Sequence, residues 1–120
     1  MRDYKKFLVW EKSHQLTLDV YKVILVFPKD EIFGLTSQIK RSSTSIPTNI
    51  AEGCGRNSDK DFCRFLYIAF GSANELEYQI FLSVELSFLE KEKGQILLKQ
   101  IEEVKKMLNG LITKLNNANG

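Results

Sequence analysis

The sequence predicts an all-α protein, an antiparallel up-and-down four-helix bundle forming one domain over residues 1–120. Three observations carry that prediction. Apolar residues recur three and four apart in four successive stretches, the spacing that gives a helix one buried face. Turn and cap residues, Pro28, Gly34, Gly53, Gly55 and Ser58, stand between the first three stretches. The length, 120 residues, suffices for one hydrophobic core and is too short for two. The expected helices cover about residues 9–27, 35–53, 59–87 and 91–116.

The first helix places Leu16, Val20, Val23, Ile24 and Phe27 on one face, and Pro28 stops it. Leu18, Tyr21 and Leu25 form a second apolar set off that stripe, more than a helix of a solitary bundle needs. Pro28 to Gly34 reads as a turn that brings Asp30 and Glu31 to the positive end of the next helix. Helix two then aligns Leu35, Ile39, Ser42, Ile46 and Ile50, with Ser43, Ser45 and Ala51 small enough to let a neighbour approach. Pro47 has no amide hydrogen for the Ser43 carbonyl, and its ring crowds that turn, so a kink is expected near residues 43–47. The hydroxyls of Ser42, Ser43, Thr44 and Ser45 are the expected local partners for the freed backbone groups. Gly53 and Gly55 are expected to end the helix.

Ser58 begins helix three as an N-cap, with Asp61 in the place a capping box gives to Glu or Gln. The helix should run about 43 Å at 1.5 Å per residue. Its apolar residues, among them Phe62, Phe65, Ile68, Phe70, Ile80 and Phe81, cover far more than a stripe about 100° wide. A bundle of this size covers only part of such a surface, which predicts a homo-oligomer whose interface uses helix three and the second face of helix one. Helix four carries Leu97, Ile101, Val104, Leu108, Leu111 and Leu115, the seam of a coiled-coil-like bundle, and the tail from Asn116 is expected to fray.

Composition excludes several classes. The chain is 43% hydrophobic and 27% charged, an ordinary globular balance. Its 17 basic and 15 acidic residues leave +2, no nucleic-acid signature as a whole. The charges are segregated, however: residues 1–64 sum to +3, residues 65–90 to −4 and residues 91–120 to +3. An acidic middle of this kind is ordinarily a solvated face, and it also suits the basic ends of a neighbouring copy. The N-terminus lacks the apolar stretch of a signal peptide, and no run approaches the roughly 20 apolar residues that span a bilayer, so a cytoplasmic protein with no membrane contact is expected. Cys54 and Cys63 are expected to be reduced thiols.

Enzyme chemistry finds little support. His14 is the single histidine, so the paired Glu-x-x-His ligands of a di-iron bundle are absent. Cys54 and Cys63 stand nine apart without the close ligand pairs of a zinc site. Gly53-Cys-Gly55 precedes a helix but completes no nucleotide fingerprint, which leaves capping as its reading. Glu52, Glu75 and Glu77 are carboxylates without the pocket and partners a catalytic pair requires. No enzyme, cofactor or metal is therefore expected. The basic residues Lys40, Arg41, Arg56, Lys60 and Arg64, around one helix end and the loop joining helices two and three, are the candidate phosphate contacts. Glu52, Asp59 and Asp61 lie among them and favour surface ion pairs instead.

The stretch Phe33-Gly-Leu-Thr-Ser-Gln-Ile-Lys-Arg-Ser-Ser-Thr-Ser-Ile-Pro-Thr-Asn-Ile-Ala-Glu-Gly53, followed by Gly55-Arg56, resembles the 23S rRNA-intervening-sequence protein family. Further matches are Val9-Trp10, Val20-Tyr21, Phe27-Pro28 before Glu31, Arg64-Phe-Leu66, Ala69, Gly71-Ser72 and Glu75-Leu-Glu77. Ser42-Ser43 departs from the usual Ala-Ala, and Lys40 stands where Arg is usual. The resemblance implies a four-helix bundle assembled as a homopentameric ring in bacteria, with no enzymatic activity attached. A similar fold occurs in the accessory variability determinant of diversity-generating retroelements, a basic pentamer associated with nucleic acid and a reverse transcriptase. By that resemblance Lys40, Arg41, Arg56 and Arg64 become candidate nucleic-acid contacts. The expected function is a non-catalytic oligomeric accessory protein binding nucleic acid, structured RNA, through repeated basic clusters. The alternative is an oligomeric protein-binding scaffold that holds a partner such as a polymerase.

Overall fold

A computed structural model describes residues 2–119. Among them are four α-helices, α1 (Leu8–Val23), α2 (Leu35–Cys54), α3 (Asp59–Glu85) and α4 (Lys91–Asn119), three short 3-10 turns and no strand. Each helix packs on its predecessor, and α4 closes the bundle against α1, so α1 lies diagonal to α3 and α2 diagonal to α4. The molecule measures 46 × 22 × 20 Å.

The expected first helix is shorter than its apolar pattern. α1 ends at Val23, and Ile24–Val26 tighten into a 3-10 turn. Phe27 is extended at ψ 153°, as the residue before a proline must be, because the Pro28 ring clashes with a helical neighbour. Its ring is nevertheless buried and tilts against Phe88 at 5.9 Å, joining the α1–α2 connection to the α3–α4 connection at one end of the bundle.

α2 starts at a glycine N-cap with no side chain to offer, and Glu31 supplies the missing acceptor, its Oε1 taking the Leu35 amide at 3.2 Å. The helix is unbroken through Pro47. The partner of the Ser43 carbonyl is not a local hydroxyl: Thr17 of α1 donates to it at 2.9 Å while Ser43 Oγ turns to the Lys40 carbonyl. Ser42 Oγ lies 2.6 Å from Gln79 Oε1 across the α2–α3 contact, and Ser45 bonds Ser72 at 2.8 Å. Gly53 does not end the helix, which runs one residue further to Cys54 and is capped at Gly55. A Cβ on Gly53 would stand 2.8 Å from Phe65 Cβ and 2.9 Å from Phe62 Cδ1, so its small size sets the α2–α3 spacing.

Ser58 caps α3 as expected, accepting from the Asp61 amide at 3.1 Å. The helix stops at Glu85, two residues early. Ser87 then takes φ 64°, with Ser87 N on the Val84 carbonyl and Phe88 N on the Ser83 carbonyl, the two bonds of a Schellman close. α4 begins where expected but continues past Asn116 to Asn119. Its buried seam is Leu97, Ile101, Val104, Leu108 and Ile112, so the last step falls on Ile112 and leaves Leu111 and Leu115 partly buried. The core between the helices is fully apolar at Val20, Ile39, Ile50, Leu66, Leu76 and Ile101. On α3, Phe62, Phe65 and Ile80 go inside with Leu66 and Leu76, while Ile68 and Phe81 stay exposed with Tyr67 and Tyr78.

Candidate nucleic-acid interface

The close α2–α3 packing at Gly53 makes a tight corner on which the chain start folds back. Arg2 donates to the Arg56 carbonyl at 2.9 Å, forms an ion pair with Asp59, and lies over the Phe62 ring at 4.4 Å. Phe7 meets the same ring edge-on at 5.7 Å. The corner's other arginines flank one buried ring: the Arg56 guanidinium is 4.6 Å and that of Arg64 is 4.4 Å from the centroid of Phe65. Asp61 lies against both, 2.9 Å from Arg64 Nε and 3.7 Å from Arg56 Nε, and Glu52 adds a contact to Arg56 at 3.7 Å.

This geometry divides the five basic candidates. Arg56, Lys60 and Arg64 come together at the corner, but both arginines are held by carboxylates. Lys40 and Arg41 lie elsewhere, fifteen residues before Arg56 in the case of Arg41, about 22 Å along a helix rising 1.5 Å per residue. Lys40 sits 5.6 Å over the Tyr21 ring. Among the described residues, Lys40, Arg41 and Lys60 have no carboxylate partner. Arg2 is the cation that sequence reasoning missed; nothing in the pattern near residue 2 links it to residues 56–62. With it the corner holds four cations, Arg2, Arg56, Lys60 and Arg64, facing three carboxylates, Glu52, Asp59 and Asp61. Guanidinium planes stacked on aromatic rings and fixed by carboxylates suit backbone phosphate contact only where a phosphate displaces a carboxylate.

The carboxylates considered for catalysis do not share an interior. Glu52 is exposed and paired with Arg56, Glu75 is exposed beside Gln79, and Glu77 pairs with Lys105 at 3.3 Å. Glu11 does stand three residues before His14, one Glu-x-x-His half that sequence reasoning passed over. Both side chains are exposed, and the His14 ring stacks on Trp10 at 5.0 Å. No group of three or more metal-ligating side chains occurs among the described residues. Cys54 and Cys63 are buried free thiols, both pushed up from the ordinary value, chiefly by burial. No described helix is long and apolar enough to cross a membrane.

Fold and surface together define a helical-bundle protein whose charged groups gather at an outer corner, where Asp59, Lys60, Asp61 and Arg64 line a surface pocket with Cys63 and Tyr67. Its family follows from comparison. Residues 5–110 match the family model of the 23S rRNA-intervening sequence protein, and the chain belongs to that family. It is similar, at 29% identity and a TM-score of 0.81, to a protein of unknown function from the S23 ribosomal protein family of Bacteroides thetaiotaomicron VPI-5482, known from a crystal structure. That likeness covers 88% of this chain and 96% of the other. No curated protein matches the chain.

Proposed function

We propose that the protein is a non-catalytic accessory protein of the cytoplasm that works as a homo-oligomer, a homopentamer on the family resemblance. The observation that carries this is the apolar surface the bundle leaves uncovered, with Phe33 94% and Leu25 83% exposed. Isolated exposed apolar residues are ordinary, but contiguous ones in a small protein mark an interaction surface. The bend expected at Pro47 belongs to the same reading, since the crowded Ser43 turn faces α1 and Thr17 collects its carbonyl. Light scattering tests the proposal: a particle several times 13.8 kDa is the expected result, and a stable 13.8 kDa monomer would sink it.

A second reading adds nucleic acid, structured RNA, as the partner of the assembly. It is favoured by Lys40, Arg41 and Lys60, which lack carboxylate partners among the described residues and would be repeated in every subunit. Binding of a structured RNA should then fall steeply with salt. Replacing these three by Ala should weaken it more than replacing the carboxylate-held Arg56 and Arg64. Negligible binding at low salt removes this reading and leaves a scaffold for a protein partner such as a polymerase.

A further inference from the structure

The segment before α1, residues 2–7, keeps most of its bonds to itself. In its 3-10 turn, Tyr4–Lys6, Asp3 accepts the Lys5 amide with its side chain and the Lys6 amide with its carbonyl, and the Phe7 amide goes to the Tyr4 carbonyl. Phe7 stands extended between that turn and α1, at φ −90° and ψ 122°, a joint between two helical pieces of the kind that serves as a hinge. Among the described residues, the segment's hydrogen bond and ion pair to the bundle beyond α1 come from Arg2 alone, which bonds the Arg56 carbonyl and pairs with Asp59. Arg2 and Phe7 also cover the Phe62 ring, which is only 1% exposed, so the docked segment shields an apolar group that favours the closed position.

The segment is also basic, with Arg2, Lys5 and Lys6 against Asp3. Lys5 and Lys6 are exposed and have no carboxylate partner among the described residues. Arg2 is the most shielded of the corner's arginines, its side chain 22% exposed against 41% for Arg56 and 58% for Arg64. We propose that residues 2–7 are an RNA-binding arm that Asp59 holds shut. Closed, the arm lies on the bundle with Arg2 spent on a carboxylate, a carbonyl and a ring. Open, it swings about Phe7 and offers Arg2, Lys5 and Lys6 together to the phosphate backbone, as basic arms do. An ion pair that keeps some contact with water is weak enough to exchange partners, and a phosphate offers a guanidinium a stronger one. Closed and open arm are thus two states that RNA biases toward the second. This inference rests on the nucleic-acid reading above and adds to it a contact and its lock.

The test compares four full chains, the natural one, Arg2→Gln, Asp59→Asn and the double variant, for binding of a fluorescently labelled RNA hairpin at low salt. Asp59→Ser replaces Asp59→Asn should the latter lose its helical circular dichroism. Asp59→Asn should bind more tightly than the natural chain, and its affinity should fall more steeply with salt, by about 1 in the log–log slope. Arg2→Gln should cost about fivefold more affinity in the Asp59→Asn background than in the natural chain, where losing the phosphate contact is offset by losing the lock. Without RNA, trypsin should cut Asp59→Asn after Lys5 or Lys6 faster than it cuts the natural chain, because it reaches the opened segment. Binding by Asp59→Asn with none by the natural chain supports the lock in its strongest form. RNA binding in which Arg2→Gln costs the same in both backgrounds, or an unchanged rate of cleavage, overturns the lock and leaves the nucleic-acid reading standing. No binding by any of the four chains overturns both.

Discussion

The Thr17 hydroxyl of α1 lies 2.9 Å from the carbonyl oxygen of Ser43 on α2, the carbonyl that Pro47 leaves without its helical amide. The same hydroxyl is 2.9 Å from the Ser13 carbonyl, so one proton is shared between a bond within α1 and a bond between helices. The consequence is a polar tie that α1 provides to α2 at the point where proline weakens it. Thr17→Val, close in shape, should cost about 1–2 kcal/mol in a urea unfolding measurement because it strands a shielded acceptor. In a Pro47→Ala background the new amide takes over the Ser43 carbonyl, and the same change should cost clearly less. Equal costs in both backgrounds would show that the Ser43 bond contributes nothing.

Gly53 and Gly71 are both inside helices, yet their substitution should have opposite signs. A Cβ at 53 meets Phe65 Cβ at 2.8 Å and Phe62 Cδ1 at 2.9 Å, whereas one at 71 meets nothing within 4 Å. Gly53→Ala should therefore destabilise by about 1–3 kcal/mol through overpacking. Gly71→Ala should stabilise the subunit by about 1 kcal/mol through helix propensity. Thermal unfolding of the two variants side by side decides it.

Ser87 holds the left-handed position of the α3 close with a side chain that disfavours it, φ 64°. Ser87→Gly removes that strain and gives back part of the gain as chain entropy in the unfolded state, so a net stabilisation of about 0.5–1 kcal/mol is expected from the unfolding midpoint.

Burial pushes the Cys54 thiol up from 9.0, Arg2 opposing and Asp3 adding to it; burial and then Asp59 push up Cys63, with Arg2 opposing. An unfolded chain releases these protons near 9.0 while the folded chain retains them. The thiols' contribution is thus complete below 9.0 and is lost as pH rises through it toward the folded values. The natural chain should lose more stability across that range than a Cys54→Ala, Cys63→Ala double variant, compared by urea midpoints at neutral and alkaline pH. A thiol reagent should modify neither cysteine until the chain unfolds.

Much of the fold was legible because its signals are local. Ser58 marks a beginning through a bond to a residue three away, and the Leu97-to-Leu108 seam is a spacing within one helix. The seam misled only at its end. A strict seven-residue repeat continues to Leu111, but a straight helix drifts by about 20° per heptad, which brings Ile112 inward instead. Gly53 looked like a stop for a related reason: glycine ends helices and also admits close neighbours, and only the position of Phe62 and Phe65 tells which role applies.

The candidate site was legible in its residue types and in the carboxylates expected to pair with them, but not in the part Arg2 plays. Arg56, Lys60 and Arg64 are neighbours along the chain and meet at one corner, but whether a guanidinium is free depends on Asp61 and Glu52 adopting rotamers that reach it. Arg2 joins Asp59 across 57 positions. The sequence by itself determined four helices and a surplus of apolar residues on α1 and α3, because helical bonds and helical faces repeat every three to four residues. Tertiary structure alone decided that Thr17 serves Ser43, that Arg2 joins the corner, and where on the bundle the apolar surplus stays exposed. Those outcomes depend on which residues distant in the chain are brought side by side, and no local period encodes that.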